Sequence, residues 1–454
     1  MSQPGWTEQH RGDLVTGTVA FAARAGVVLW SSGRFPPAAD GVYYHAIAVR
    51  VAEGLGSTWL WPDGKITYAA HYPVGYPALL AIGYWLAGAS PVVGAWVNAL
   101  LGTVAAIAVH RLALQTLSPL RARWALGAGL AVALHPGLVM YTPALMTEGV
   151  TASLLAIAAW MASLRSGRGL ALLGLVMGMV TLVRPQSLVL APCLGFVSLA
   201  AGSWWQRLRR AGLATGLALL VCAPWTIRNC VRMQRCALVS YNGGWNLLIG
   251  AEGNGTWMPI DVPEPCRTVW DEAGKDACFH REALGLIARA PGRWLGLVPT
   301  RLAATFDYAG APGYYLHASN AEAFGDGPKV ALGAVETIYE RVAYLGALAF
   351  AGLAAGPRRR VRLVIAVVAA LLLFQVHAYL GVLGLVMALA LLGQSLVAGP
   401  VLPSATFFVL LATAAVHAVF FGAGRYSMVA FPLVTALGFA VLTAGEKERD
   451  TTRP

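Results

Sequence analysis

Long apolar runs separated by short polar connectors dominate the chain from residue 14 to residue 444. Most of these runs reach the length of about 17–25 residues that an α-helix needs to cross a bilayer. No long alternating pattern of the kind that builds membrane β-barrels competes with them. We therefore predict an all-α polytopic membrane protein with about 12 transmembrane helices. The predicted spans are 14–32, 92–117, 124–140, 148–164, 170–184, 186–202, 211–226, 333–355, 361–377, 380–398, 403–421 and 426–444.

Two longer segments, 33–76 and 227–328, interrupt this pattern. The apolar run 77–89 is too short for a span, so we place it as a helix on the outer membrane surface. Segment 227–328 is far longer than a connector, and loops of that length are usually functional or folded. The predicted organisation is an N-terminal transmembrane catalytic module 1–226 with its first outer loop 33–91, an extracytoplasmic loop domain 227–328, and a C-terminal transmembrane module 329–454 with a cytoplasmic tail.

The composition agrees with a membrane protein, since 57% of the 454 residues are hydrophobic, 12% are charged and the mean hydropathy is +0.62. The net charge of +12 is not spread evenly. Segment 227–328 holds nine basic and ten acidic residues, whereas the short connectors and the tail from Lys447 carry the basic excess. By the positive-inside rule the connectors and both termini are cytoplasmic and the two long segments lie outside. This charge distribution argues against a nucleic-acid partner, and the expected location of the chain is the cytoplasmic (inner) membrane.

The cysteines are predicted to play structural roles. Cys193 and Cys222 fall within predicted spans, where buried packing is the usual role of a free cysteine. Cys266 and Cys278 share the long outer segment, and a disulfide between them would fit an oxidising compartment. With Cys230 and Cys236 nearby, the pairing stays open.

Two acidic residues are candidates for chemistry at the outer membrane face. Asp40 follows the two prolines of "FPPAAD", and the spacing after it predicts an amphipathic surface helix from Tyr43 to Leu55. Asp40 either caps that helix or carries a function. Glu148 stands at the outer start of a span, where an acid is costly unless it faces a cavity or a partner.

Three arginines, Arg184, Arg228 and Arg425, stand at predicted outer ends of spans, against the usual charge bias. Each alone reads as a side chain that reaches the lipid headgroups. Together, on one face of the membrane, they form a candidate site for a phosphate group, which the planar guanidinium matches well.

Polar and aromatic side chains on the same predicted side are candidates for substrate binding. The stretch "YNGGWNLLIGAEGNGTW" contains Asn242, Trp245 and Asn246, which are able to stack on a sugar or hydrogen-bond to it. The stretch "HYPVGYP" contains His71 and Tyr72, and His45 lies near Asp40. The alternatives are a plain Gly-rich loop and an interfacial aromatic anchor.

In this order, the motifs "DGVYYHAIAVRVAEGLG", "HYPVGYPALLA", "HPGLVMYTPALMTE", "LVRPQ", "APWTIRN", "NGGWNLLIGAEGNGTW" and "RYSMVAFP" make the chain resemble the GT-C membrane glycosyltransferases. More narrowly it is similar to the branch that contains protein O-mannosyltransferases and the lipid A aminoarabinose transferase (glycosyltransferase family 39). The resemblance implies a GT-C-type bundle in contact with membrane lipids. It also implies transfer of a hexosyl or pentosyl group from a polyprenyl-phosphate-linked sugar to a hydroxyl of a lipid, glycan or protein acceptor on the extracytoplasmic side.

The same resemblance implies a role for each charged candidate. Asp40 would be the general base on the acceptor hydroxyl, usually with inversion, and Glu148 would be a second acidic residue that orients the acceptor or Asp40. Any of the three arginines would neutralise the departing phosphate.

One departure from the family pattern affects the second acid. Many relatives carry paired acids in the first loop, whereas Gly41 follows Asp40 here, so the second carboxylate is Glu148, Asp63 or none. Some relatives bind a divalent metal ion near these acids, with His45 or His71 as candidate helpers, and a metal requirement stays open. 

Two rival readings are a lipid or solute transporter and an enzyme like an O-antigen ligase or polymerase, which takes a diphosphate-linked donor. The charges gather at one membrane face rather than at mid-membrane, which favours interfacial chemistry over transport.

Overall fold

The computed structural model describes residues 6–117 and 122–443. The end of the predicted span 426–444, the tail from Lys447 and Arg121 of the basic connectors lie outside the described residues.

Helices form nearly all of the N-terminal part, up to the end of the seventh predicted span. They begin where the sequence supplies caps: Ser90 accepts a hydrogen bond from the Val92 amide at 3.2 Å, and Ser203 and Gln206 form a reciprocal capping box. The helices are α1 Trp6–Ser31, α2 Asp40–Ala52, α3 Gly75–Ala87, α4 Pro91–Thr116, α5 Ala122–Ala133, α6 Pro136–Met140, α7 Thr147–Ser163, α8 Gly167–Val183, α9 Leu190–Val197 and α10 Trp204–Arg232.

The first outer segment contains a small antiparallel hairpin, β1 Thr58–Leu60 and β2 Ile66–Tyr68, with Trp59 opposite Thr67. Its turn is the sequence "WPDGK", in which Gly64 has a φ of 81° that a residue with a Cβ rarely adopts. Helix α2 begins at Asp40 rather than at Tyr43 and ends at Ala52, so the prediction that it reaches Leu55 was wrong. Gly54 has a φ of 78°, and this left-handed residue ends the helix before Leu55.

The second outer segment is helical. Two disulfides, Cys230–Cys236 and Cys266–Cys278, cross-link it, which resolves the pairing that the sequence left open. Cys193 and Cys222 are free thiols. The helices are α11 Gly243–Glu252, α12 Glu264–Arg267, α13 Glu272–Arg289, α14 Pro291–Gly296, α15 Val298–Phe306 and α16 Ala311–Ser319.

The C-terminal part returns to long apolar helices. These are α17 Asp326–Leu353, α18 Arg359–Leu372, α19 Tyr379–Ala390, α20 Gln394–Ala398, α21 Val401–Val419 and α22 Phe431–Phe439, with 3-10 segments at Pro185–Val189, Gly424–Ala430 and Ala440–Thr443. Among the described residues, five helices are long and apolar enough to cross a membrane: His10–Ser31, Pro91–Thr116, Trp204–Arg232, Val401–Val419 and Gly424–Leu442. The nearly all-helical fold with apolar helices is confirmed, and the count of 12 spans remains a prediction.

Small residues allow these helices to pack closely, with α4 at the centre against α1, α5 and α7. Arg24, which interrupts the first apolar run, lies in this interface against Gly102 and donates to the carbonyl oxygen of Ala133 at 2.9 Å. The 3-10 segment Gly424–Ala430 packs on α7, which brings the last of the sequence motifs next to the middle of the chain.

Candidate active site

Glu148 is the centre of a charged network. It stands in the first turn of α7, as predicted, and only 2% of its side chain is exposed. Its Oε1 contacts Arg184 Nη2 and Arg425 Nε, each at 3.3 Å, and its Oε2 accepts a hydrogen bond from the Tyr141 hydroxyl at 3.3 Å. Because a buried carboxylate is stable only when it is paired and hydrogen-bonded, these three contacts account for its position.

Asp40 joins the same network through Arg425. Its Oδ2 lies 3.4 Å from Arg425 Nη2, and its Oδ1 accepts from the Tyr72 hydroxyl at 3.5 Å. The residue at the helix cap is Ala39, and no side chain caps α2. The carboxylate of Asp40, 37% of whose side chain is exposed, is therefore directed to the charged network rather than to the helix end.

The backbone before Asp40 is held by a residue from the outer segment. The hydroxyl of Tyr315 accepts from the amides of Ala38 at 3.2 Å and Leu145 at 3.3 Å, which ties the start of α2 to the chain before α7. Ala39 has a φ of 50°, a conformation that costs a residue with a Cβ about 1–3 kcal/mol. These contacts fix the start of α2 next to the start of α7.

The loop that carries Tyr72 is held from α13. The Oε2 of Glu272 accepts from the amides of Ala70 at 2.6 Å and His71 at 2.8 Å. The Tyr72 ring stacks on Tyr43 with 5.1 Å between centroids. Burial, and then the nearby charge of Asp40, raise the pKa of the Tyr72 hydroxyl. That hydroxyl keeps its proton near neutral pH and donates it to Asp40 in a hydrogen bond.

Tyr426 connects the two arginines. The guanidinium carbons of Arg184 and Arg425 lie 5.1 and 5.2 Å from the centroid of its ring, and His417 stacks on it at 4.1 Å. Nδ1 of His417 is 2.8 Å from the carbonyl oxygen of Phe421, which requires the proton on Nδ1 and leaves Nε2 as an acceptor in the neutral ring. Both arginines of the cavity thus make a cation–π contact with the ring of Tyr426.

The outer wall is the start of α11. Oδ1 of Asp276 on α13 accepts from the amides of Gly244 at 2.8 Å and Trp245 at 3.3 Å. Burial raises the pKa of Asp276, and these two hydrogen bonds oppose that rise. The contact fixes Trp245 and its neighbours against the charged network.

All these elements enclose one cavity of about 330 Å³. That volume is at the lower end of the range for small-molecule sites. The structure brings together nine of the residues predicted from the sequence, and they line this cavity: Asp40, Glu148, Arg184, Arg425, His71, Tyr72, Asn242, Trp245 and Asn246.

Three further candidates are not among the described residues that line the cavity. Arg228 donates to the carbonyl oxygen of Ser57 at 2.8 Å and lies over the ring of Trp225, and so fastens the first outer segment to α10. His45 lies 2.7 Å from the Tyr84 hydroxyl on α3, where burial lowers its pKa. Asp63, a candidate second acid, lies in the turn of the hairpin and accepts from the Lys65 amide.

The cavity also contains residues that the sequence reasoning missed, among them His417, Tyr426 and Trp257. His417 is a histidine inside an apolar span, and such residues usually face a cavity or a partner. Tyr426 directly follows Arg425 in the quoted motif "RYSMVAFP", and Trp257 ends the stretch that supplied Asn242. Only Trp257 has no signal of its own, because an exposed tryptophan near a membrane usually serves as an anchor.

The donor set of this cavity does not suit a divalent metal ion. Among the described residues, no group of three or more His, Cys, Asp or Glu side chains could hold one. The two carboxylates of the cavity share Arg425, so an ion between them would have to displace a guanidinium.

No protein-family model and no curated protein matches the chain. Among solved structures it is similar to the oligosaccharyltransferase AglB of Archaeoglobus fulgidus in complex with an inhibitory peptide and a dolichol-phosphate, with 14% identity, a TM-score of 0.49 and coverage of 96% of this chain and 50% of that one. It is also similar to ArnT of Cupriavidus metallidurans bound to undecaprenyl phosphate, with 16% identity, a TM-score of 0.39 and coverage of 94% and 77%.

The chain thus spans about half the length of the archaeal oligosaccharyltransferase. Both proteins are GT-C glycosyltransferases, the group that the sequence resembles.

Proposed function

We propose that this protein is an integral membrane glycosyltransferase that moves one sugar from a polyprenyl-phosphate donor to an acceptor hydroxyl, with inversion and with Asp40 as general base. The observation that carries the proposal is the meeting of Asp40, Glu148, Arg184 and Arg425 in one cavity. The Asp40 carboxylate can accept a proton, and the two guanidinium groups beside it can bind and neutralise a leaving phosphate.

A narrower cavity of about 40 Å³ supports a lipid-linked donor. It shares Arg184, His417 and Tyr426 with the main cavity and continues between α7, α9 and α21. Its wall is formed further by the apolar side chains of Leu155, Leu190, Val409, Ala412, Val416 and Val429, with the polar residues Thr151, Gln186, Ser187 and Thr413 between them. A phosphate beside Arg184 would therefore have polar space on one side for the sugar and apolar space on the other for the start of a polyprenyl chain.

The proposed reaction uses these residues in one displacement. The acceptor O–H gives its proton to Asp40 while its oxygen bonds to the anomeric carbon. The bond from that carbon to the phosphate oxygen breaks, and the electron pair leaves with the phosphate, whose charge Arg184 and Arg425 balance. Tyr72 holds the Asp40 carboxylate, and Asn242, Trp245 and Asn246 line the side open to the sugars.

The test is sugar release by purified protein in lipid nanodiscs, with undecaprenyl-phosphate glucose, mannose and arabinose as donors and cell-envelope extract as acceptor. Asp40→Asn should lose at least about 100-fold in rate, the usual contribution of a general base. Asp63→Asn is the matched control, because Asp63 is an exposed acid of the same outer segment outside the cavity. Full activity of Asp40→Asn would remove Asp40 as the base, and a wild type that releases sugar from none of the donors would count against the function.

A further inference from the structure

Arg425 contacts two carboxylates in the cavity, Glu148 and Asp40, which differ in burial and in the number of their other partners. Glu148 contacts Arg184 and Tyr141 as well and is almost completely buried. Asp40 keeps only a half-exposed contact of 3.4 Å with Arg425 and a long hydrogen bond of 3.5 Å with Tyr72. Of the two carboxylates, Asp40 is the one that can leave Arg425 at lower cost, because a partly exposed ion pair contributes less than a buried one.

A phosphate that enters the cavity needs the same guanidinium edge. Nη2 of Arg425 contacts both Asp40 and the Tyr426 hydroxyl, and Nε contacts Glu148. A guanidinium binds a phosphate best through two parallel N–H groups, so a phosphate must take Nη2 from Asp40 to be held in this way. The negative charge of the phosphate would also repel the Asp40 carboxylate from that position.

We propose that the donor phosphate replaces Asp40 on Arg425, so that Asp40 becomes a free base only once the donor is bound. This rests on the proposed function. In the resting site the Arg425 guanidinium contacts Oδ2 of Asp40, so this oxygen is not available to an acceptor hydroxyl. With the phosphate on Arg425, Asp40 keeps Tyr72 and is available to the acceptor hydroxyl. Because Asp40 and the donor phosphate compete for Arg425, the donor must bind before Asp40 can activate the acceptor.

If the donor phosphate replaces Asp40 on Arg425, removing the charge of Asp40 should strengthen donor binding. Coupling between two ligands of one group is reciprocal, so weakening the Asp40–Arg425 contact must favour the phosphate. We expect Asp40→Asn to bind undecaprenyl phosphate about two- to five-fold more tightly than the wild type, because the loss of a partly exposed ion pair with Arg425 changes the binding free energy by about 0.4–1 kcal/mol. Binding is measured by isothermal titration calorimetry in detergent micelles. Asp63→Asn is the control and should bind like the wild type.

A double-mutant cycle separates the exchange from simple charge repulsion. In an Arg425→Gln background, which has lower affinity, Asp40→Asn should no longer tighten binding. An equal gain with and without Arg425, or no gain in Asp40→Asn, would overturn the exchange while leaving the proposed function in place. If neither the wild type nor any variant binds undecaprenyl phosphate, the lipid-phosphate donor itself is wrong. Unchanged melting temperatures of the variants show that the folded protein is being compared.

Discussion

Gly41 lies where a side chain has no room. A Cβ at this position would be 3.0 Å from the Tyr315 hydroxyl and 3.1 Å from the carbonyl oxygen of Leu145. The hydroxyl is itself fixed by the amides of Ala38 and Leu145, so it cannot move without losing two hydrogen bonds. The absence of a second acid next to Asp40 therefore has a local cause, and Glu148 is the second carboxylate of the cavity.

Gly41→Asp is expected to destabilise the protein by about 1–3 kcal/mol, the usual cost of overpacking, and to add no function. Gly41→Ala isolates the steric part of this cost. Gly26→Ala is the matched control, because a Cβ there meets nothing within 4 Å. Thermal unfolding in detergent measures the stability of all three variants. A Gly41→Asp protein as stable as the wild type would show that a side chain fits in the first turn of α2 and would contradict this prediction.

At the scale of elements, Arg301 on α15 sets the distance between two walls of the cavity. Its Nη2 donates to the carbonyl oxygen of Gly250 on α11 and its Nη1 to that of Ala418 on α21, both at 2.7 Å. The Gly422 amide donates to the Gly255 carbonyl at 2.9 Å beside this contact. The outer segment and the last long helix are thus joined at a fully buried side chain.

Arg301→Lys should lower stability by about 1–3 kcal/mol, because an ammonium group cannot match the fork that reaches both carbonyl oxygens, and a buried acceptor is left unpaired. Arg293→Lys is the control, since Arg293 is exposed and donates to one carbonyl, that of Glu252. The measurement is thermal unfolding of both variants, with a change within about 0.5 kcal/mol expected for the control. An equal loss of stability in the two variants would show that the two hydrogen bonds of Arg301 do not hold α11 and α21 together.

Over the whole molecule, two arginines of the predicted cytoplasmic connectors lie at helix ends, and the cysteine pairs lie in the second long segment. Arg207 and Arg362, which belong to predicted cytoplasmic connectors, donate to carbonyl oxygens at helix ends, such as those of Leu199 and Ala354. These contacts satisfy groups that a helix leaves unpaired and place positive charge at its negative end. The two disulfides lie in the segment predicted to face the oxidising side.

The disulfides predict how many thiols the protein presents. When it is denatured without reductant and treated with a maleimide, mass spectrometry should find two labels, on Cys193 and Cys222, and six after reduction. Six labels without reductant, in protein purified from its native membrane, would contradict an oxidised outer segment. Replacing Cys266 and Cys278 together by Ser should cost about 2–4 kcal/mol of stability, whereas Cys193→Ser alone should cost less.

Features that depend on neighbouring residues can be predicted from the sequence. Apolar runs predict helices because each must satisfy its own backbone groups in lipid. The charge bias of the connectors predicts the orientation of these helices. The boundaries of the apolar runs predict that Glu148 lies at the start of a helix, and it lies in the first turn of α7. Asp40, Arg184 and Arg425 were recognised as candidates because charged residues are unusual in so apolar a chain.

Which candidate residues contact one another depends on how distant helices pack. Asp40 and Arg425 are 385 residues apart in the chain, and their contact depends on how α2, α7 and the segment Gly424–Ala430 pack. Arg228 has the same local signature as Arg184, yet packing directs it to the Ser57 carbonyl instead of the cavity. The sequence shows that a charged residue lies near lipid, where it is unfavourable without a partner. That partner comes from a distant part of the chain, so it is identified only by the way the helices pack.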